Sequence, residues 1–125
     1  MEILRHIIGY CQEIEKTKER FGKKYEIFSE DSIYQNAVAL CVLQIGELTT
    51  HFTEDFKNTY NGMPWNQIKA LRNVAAHNYG KIDKEILWET IMNDIPALKE
   101  YCEKVMGQFM KDIEELEEGN SQMMR

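Results

Sequence analysis

Apolar residues recur along this chain at steps of three and four, with no sustained alternation at steps of two. Ile3, Leu4, Ile7, Ile8, Cys11 and Ile14 make one stripe, which predicts an amphipathic helix. Glu13, Glu15, Lys16 and Lys18 fall mostly on its wet side. Gly22 suits the position just past the end of that helix, and Lys23 and Lys24 suit its negative pole. Ser29 is the expected N-cap of a second helix, followed by Glu30 and Asp31 near its positive first turn. That helix runs through Ile33, Ala37, Val38, Leu40, Val42, Ile45 and Leu48. It is apolar on nearly every side, so it is expected to be the most buried helix, touching more than one neighbour.

Thr53, Glu54 and Asp55 open a short helix ending near Tyr60, and Asn61-Gly62-Met63-Pro64 is the sharpest break in the chain. Pro64 suits the start of the next helix, on which Trp65, Ile68, Leu71 and Ala75 share a face, with Gly80 as terminator. Asp83 or a neighbour opens a helix carrying Ile86, Leu87 and Ile91. Asn93-Asp94-Ile95-Pro96 reads as a fresh helix start, or else as a kink within one continuous helix. Beyond it Leu98, Cys102, Val105, Phe109, Ile113 and Leu116 give a heptad-like stripe that suits bundle packing or a partner helix. The predicted fold is all-α: an up-and-down bundle of four main helices plus one or two short ones. Residues 1–118 form a single domain in this reading, and 119–125 a disordered tail.

Composition narrows the function. The net charge of -6 gives no overall footprint for gripping a nucleic-acid backbone, so any such contact must be local. Cys11, Cys41 and Cys102 are odd in number and widely spaced, which fits buried thiols in a reducing compartment. No ligand spacing links them to His6, His51 or His77, so no metal site is expected. No run is apolar enough to span a membrane, and the N-terminus lacks a signal-peptide layout; a cytoplasmic protein is expected.

The chemistry concentrates in Leu71-Arg72-Asn73-Val74-Ala75-Ala76-His77-Asn78-Tyr79-Gly80. Asn73 and His77 share a helix face, whereas Arg72 and His77 stand about 140° apart on an ideal helix. They converge only where the helix loosens or a third group lies between them. A guanidinium offers a planar two-point contact to phosphate and stays charged, and an imidazole exchanges protons near neutral pH. Together they suit phosphate-ester chemistry. In RNA the 2′-hydroxyl can be the nucleophile, so no metal-bound water is required. Base and acid call for two histidines, and two copies across a two-fold axis would supply both. Glu47, set in the apolar second helix, is expected either to face solvent or to pair with Arg72 and fix its guanidinium.

Arg72, His77 and Tyr79 match R-x4-H-x-Y in full. With Gln44-Ile45-Gly46-Glu47, Met63-Pro64-Trp65 and Asp94-Ile95-Pro96-Ala97-Leu98, they give a sequence that resembles the HepT-like branch of the HEPN superfamily. The resemblance covers roughly residues 33–102 and implies a homodimeric, metal-independent endoribonuclease that is the toxin of a toxin–antitoxin pair. Arg72 and His77 would be catalytic on an RNA substrate, Asn73 would position, and Glu47 would support Arg72. The implied partner is an MntA-type nucleotidyltransferase antitoxin, which uses ATP to place AMP on Tyr79; the chain itself would need no cofactor. An adenylyl group adds bulk and negative charge beside Arg72 and His77. The alternative is a non-catalytic helical partner of such a nucleotidyltransferase, serving as nucleotide-binding or AMP-acceptor subunit.

Overall fold

The computed structural model describes residues 2–76 and 83–123. Its elements are α1 (Glu2–Phe21), α2 (Tyr25–Glu30), α3 (Ser32–Thr49), α4 (Glu54–Thr59), α5 (Trp65–Lys69), α6 (Leu71–Ala76), α7 (Lys84–Glu89), a π-helical turn (Thr90–Asp94) and α8 (Ile95–Met123). No strand occurs among the described residues. Four helical rods make the bundle: α1, α3, the α5–α6 pair, and α7 running through the π turn into α8. The short α2 and α4 complete it. None of the described helices is long and apolar enough to cross a membrane.

The stripe read on α1 becomes its core face, with Leu4, Ile7, Cys11 and Ile14 all buried. Gly22 ends the helix at φ 109°, the left-handed region that glycine tolerates, and its N–H donates to the Lys18 carbonyl at 2.8 Å. The second helix starts later than expected. Tyr25–Glu30 close a short helix of their own, and the N-cap of α3 is Asp31, whose Oδ1 accepts from the amides of Ile33 (3.0 Å) and Tyr34 (3.1 Å). Ser29 instead turns its hydroxyl back to the Glu26 carbonyl. The carbonyls at the end of α2 gain a further donor in Gln35, whose Nε2 donates to Phe28 and Ser29. Around this junction Phe21, Phe28, Tyr34 and Trp88 form an aromatic cluster. Packed against α1, α2, α5 and α6, α3 buries Tyr34, Val38, Val42 and Ile45, yet it leaves Ile33 and Leu40 exposed on its outer face.

Lys18 is not on the wet side. It is buried, and its Nζ donates to the Ile91 carbonyl at 3.1 Å. The π turn explains the contact. Ile95 donates to the Thr90 carbonyl, five residues back, and Pro96 has no N–H to offer. The Ile91 carbonyl therefore loses its helical donor, and a lysine from α1 replaces it. Of the two readings at Asn93–Pro96, the continuous helix is the one adopted, with the proline accommodated by a wider turn.

Burial holds the Lys18 ammonium below its ordinary pKa of 10.5, assisted by Lys23 and opposed by Glu15. Lys18→Met is expected to cost about 1–2 kcal/mol at neutral pH, because it strands a buried carbonyl. A depressed lysine pKa means that the unfolded chain binds more protons than the folded one in the window below 10.5, so stability rises with pH there. The gap between wild type and Lys18→Met should accordingly widen from neutral pH towards 10, as read by urea unfolding of both proteins. A gap that narrows would show that the ammonium form is the preferred one.

The core is closed by Leu87, Ile91, Ile95, Leu98 and Cys102. Cys11 and Cys102 are buried free thiols, each pushed up to about 12 chiefly by burial, and half-buried Cys41 rises to about 11 for the same first reason. They stay protonated and inert near neutral pH. At the C-terminus α8 runs to Met123. Gly119 is tolerated there because one glycine costs a helix only about 1 kcal/mol.

Candidate functional site

The motif segment is anchored at its start by aromatic packing. Thr53 caps α4 through its hydroxyl, and Phe52, Phe56 and Trp65 then gather at centroid distances of 4.3–6.1 Å. Trp65 is buried, donates from Nε1 to the Tyr60 carbonyl at 2.7 Å and meets Tyr101 edge-on at 5.9 Å. The Tyr101 hydroxyl accepts from the Gly62 amide at 2.9 Å, tying the 61–64 break to α8. Pro64 takes the N-cap position, and α5 follows.

The expected single motif helix is broken. α5 ends at Lys69, and α6 begins at Leu71 with a tightened turn in which the Asn73 amide donates to the Ala70 carbonyl at 3.0 Å. No proline or glycine lies between them, and α6 packs directly on α3. α6 lies hard against α3 at Gly46, where a methyl group would stand 2.8 Å from the Arg72 amide nitrogen and 2.9 Å from Arg72 Cβ. Gly46 is thus the surface that lets the two backbones approach. Reading from residue types alone missed this role, although a glycine inside a buried apolar helix was the available signal.

The next residue, Glu47, sits on the other side of that contact. Its Oε1 accepts from Arg72 Nη1 at 3.0 Å. The expected pairing is present, but Glu47 is not deeply buried: the side chains of Arg72 and Glu47 are 38% and 49% exposed. The pair lies at the surface, where it orients a guanidinium and contributes up to about 1 kcal/mol of stability. Asn73 is exposed beside it. His77, Tyr79 and Gly80 lie outside the described residues. The structure thus brings Glu47 and Arg72 together at the α3–α6 contact, with Asn73 exposed one residue on. It also places a cavity of about 220 Å³ beside the motif, lined by Met63, Pro64, Gln67, Leu71, Asp94 and Leu98.

A part-exposed arginine, held from one side by a carboxylate, can present its planar donors to an anion from solvent. No cluster of three histidine, cysteine or carboxylate side chains suited to a metal occurs among the described residues.

Comparison with known proteins follows the same outline. Residues 10–105 match the family described as "HepT-like: Ribonuclease HepT-like". A relative from Caldanaerobacter subterraneus subsp. tengcongensis, named "Putative RNase TTE0752", is 29% identical over 104 residues, spanning 82% of this chain and 90% of its own. Another from Thermococcus cleftensis, named "Probable ribonuclease HepT", is 35% identical over 81 residues, spanning 65% of this chain and 74% of its own. No solved structure gives a significant match. With 10–105 matched, and the arginine of the motif seated on Glu47 at the α3–α6 contact, this chain belongs to the ribonuclease HepT-like family.

Proposed function

We propose that the chain is a metal-independent endoribonuclease, the toxin of a toxin–antitoxin pair, and that it is silenced by AMP attached to Tyr79. The observation that carries this reading is Arg72, at the surface, with its guanidinium set by Glu47 at 3.0 Å, at the head of the segment that continues to His77 and Tyr79. In the proposed reaction His77 takes the proton of a 2′-hydroxyl, and that oxygen forms a bond to the adjacent phosphorus. The P–O5′ bond breaks, and the leaving oxygen receives a proton from the His77 of a second copy. Arg72 stabilises the charge that builds on the equatorial phosphate oxygens. Asn73, exposed one residue on, positions the phosphate. The products are a 2′,3′-cyclic phosphate and a 5′-hydroxyl, and no external water or metal enters the step.

A homodimer fits the outer face of α3. Ile33 and Leu40 are 68% and 57% exposed, seven residues apart, and the next step of seven is Glu47. Covering this stripe with a second copy would remove two large apolar side chains from water and draw the two Glu47–Arg72 pairs towards one another. Local arginine chemistry also accommodates the acidic balance of the chain. The phosphate is met by a single oriented guanidinium and not by a basic surface.

The partner in this reading is a nucleotidyltransferase that uses ATP to AMPylate Tyr79. The AMP phosphate would compete for Arg72, and its nucleoside would obstruct RNA. The test uses purified chain and RNA in the presence of a chelator. Cleavage with cyclic-phosphate ends is the expected result. Intact-mass analysis after co-expression with the nucleotidyltransferase should show added AMP, absent from Tyr79→Phe. A chain that accepts AMP but cuts no RNA would replace this proposal with that of a non-catalytic acceptor subunit.

A further inference from the structure

α8 outruns the bundle. Lys18 meets Ile91, and Lys99 meets Glu15 at 3.2 Å, so α1 and α8 run antiparallel. At helical rise, α8 passes the start of α1 by about residue 110 and extends about 20 Å further to Met123. Val105 is the last buried residue of α8 among those described. The stripe itself does not stop there. Cys102 and Val105 face the core, and the same line continues through Phe109, Ile113 and Leu116, the last 67% exposed. Steps of four and three on one face are the anchor pattern of a helix that lies in a groove or along another helix.

The flanks of the stripe say what kind of surface would cover it. Asp112 and Glu117 border the stripe on either side at helical spacing, Glu114, Glu115 and Glu118 lie further round, and Lys111 is the one cation of this stretch; all are exposed. Two such arms side by side would set carboxylates against carboxylates, which disfavours a second copy of this chain. The same carboxylates repel RNA. A protein surface with an apolar seam rimmed by lysine and arginine satisfies both the stripe and its flanks.

We propose that the overhanging arm of α8 is a docking helix for a partner protein whose apolar groove or helix is bordered by basic side chains, with Phe109, Ile113 and Leu116 as anchors. The proposal is independent of the ribonuclease reading, since the arm is the far end of α8 from the π turn, and Arg72 takes no part in it.

The probe is a synthetic helical peptide with leucine at the seam positions and lysine on both flanks, and its control carries glutamate in place of lysine. Fluorescence anisotropy with the full chain should show binding of the lysine peptide that weakens as salt is raised, and none of the glutamate peptide. The double variant Ile113→Asp/Leu116→Asp should weaken binding by about tenfold or more. Its thermal unfolding should be unchanged, because neither side chain is buried. Equal binding by the double variant would overturn the proposal. So would self-association of the wild type that is abolished by Leu116→Asp, which would make the arm an interface between copies. A dimer that persists in Leu116→Asp, with peptide binding lost, upholds it.

Discussion

Alanine at His77 is expected to lower RNA cleavage by about 10²–10⁴-fold, the usual contribution of a positioned acid–base group. Arg72→Ala should lower it by about 10²–10³-fold, the loss associated with removing one charge-stabilising donor. The informative contrast is between activity and stability. Arg72 and Glu47 are both substantially exposed, so loss of their contact should move stability by no more than about 1 kcal/mol. Single-turnover cleavage and thermal unfolding measured on the same preparation separate the two effects. Arg72→Lys should recover little, since an ammonium keeps the charge but loses the planar fork that Glu47 orients. Glu47→Gln should fall between, because the amide oxygen still accepts the Nη1 hydrogen bond but no longer opposes the charge. Wild-type cleavage by Arg72→Ala would remove the guanidinium from the mechanism, and an unfolded Arg72→Ala would make it a structural residue.

Gly46→Ala is expected to damage fold and activity together. An added methyl would meet the Arg72 backbone nitrogen at 2.8 Å and its Cβ at 2.9 Å, and neither is the movable end of a side chain. α6 would have to shift away from α3. Overpacking of this kind costs about 1–3 kcal/mol, partly offset by the roughly 1 kcal/mol that alanine gains over glycine in a helix. The midpoint of thermal unfolding should drop by several degrees, and cleavage should fall even where the variant is fully folded, because Arg72 rides on the displaced segment. Gly9 is the matched control: nothing lies within 4 Å of its added methyl, so Gly9→Ala should be neutral or stabilising. A Gly46→Ala protein as stable and active as the Gly9→Ala protein would show that the close α3–α6 approach is not needed.

Local chemistry was readable from residues alone. Gly22 ends α1 as expected, and the helices expected to open at Thr53–Asp55 and at Asp83 or a neighbour do so, capped by Thr53 and Asp83, because each cap is settled within four residues of chain. The all-helical class followed from apolar steps of three and four, and the family resemblance from Arg72, His77 and Tyr79 together with the segments around Glu47, Trp65 and Pro96. For Glu47 the residues left two readings open, facing solvent or pairing with Arg72, and the side chain does both: it is 49% exposed and holds the guanidinium. Asp31 displaced Ser29 as a cap because residues 25–30 fold into a turn of helix that has no strong signal of its own.

Other features belong to the tertiary structure. Lys18 stands in phase with Leu4, Ile7, Cys11 and Ile14, yet its charge argued for solvent. It is buried because Pro96 leaves the Ile91 carbonyl without a donor on a helix 73 residues away in sequence. The interruption at Ala70 has no breaker residue, and two residues on Arg72 packs against Gly46 of α3. Which face of α3 stays uncovered, and that α8 outlasts its partner helix, depend on where α1 lies against both. Sequence determined what each segment prefers locally and which chemistry it carries. Only packing decided which of those preferences gave way, because a buried polar group or a backbone contact is settled by atoms distant in the chain.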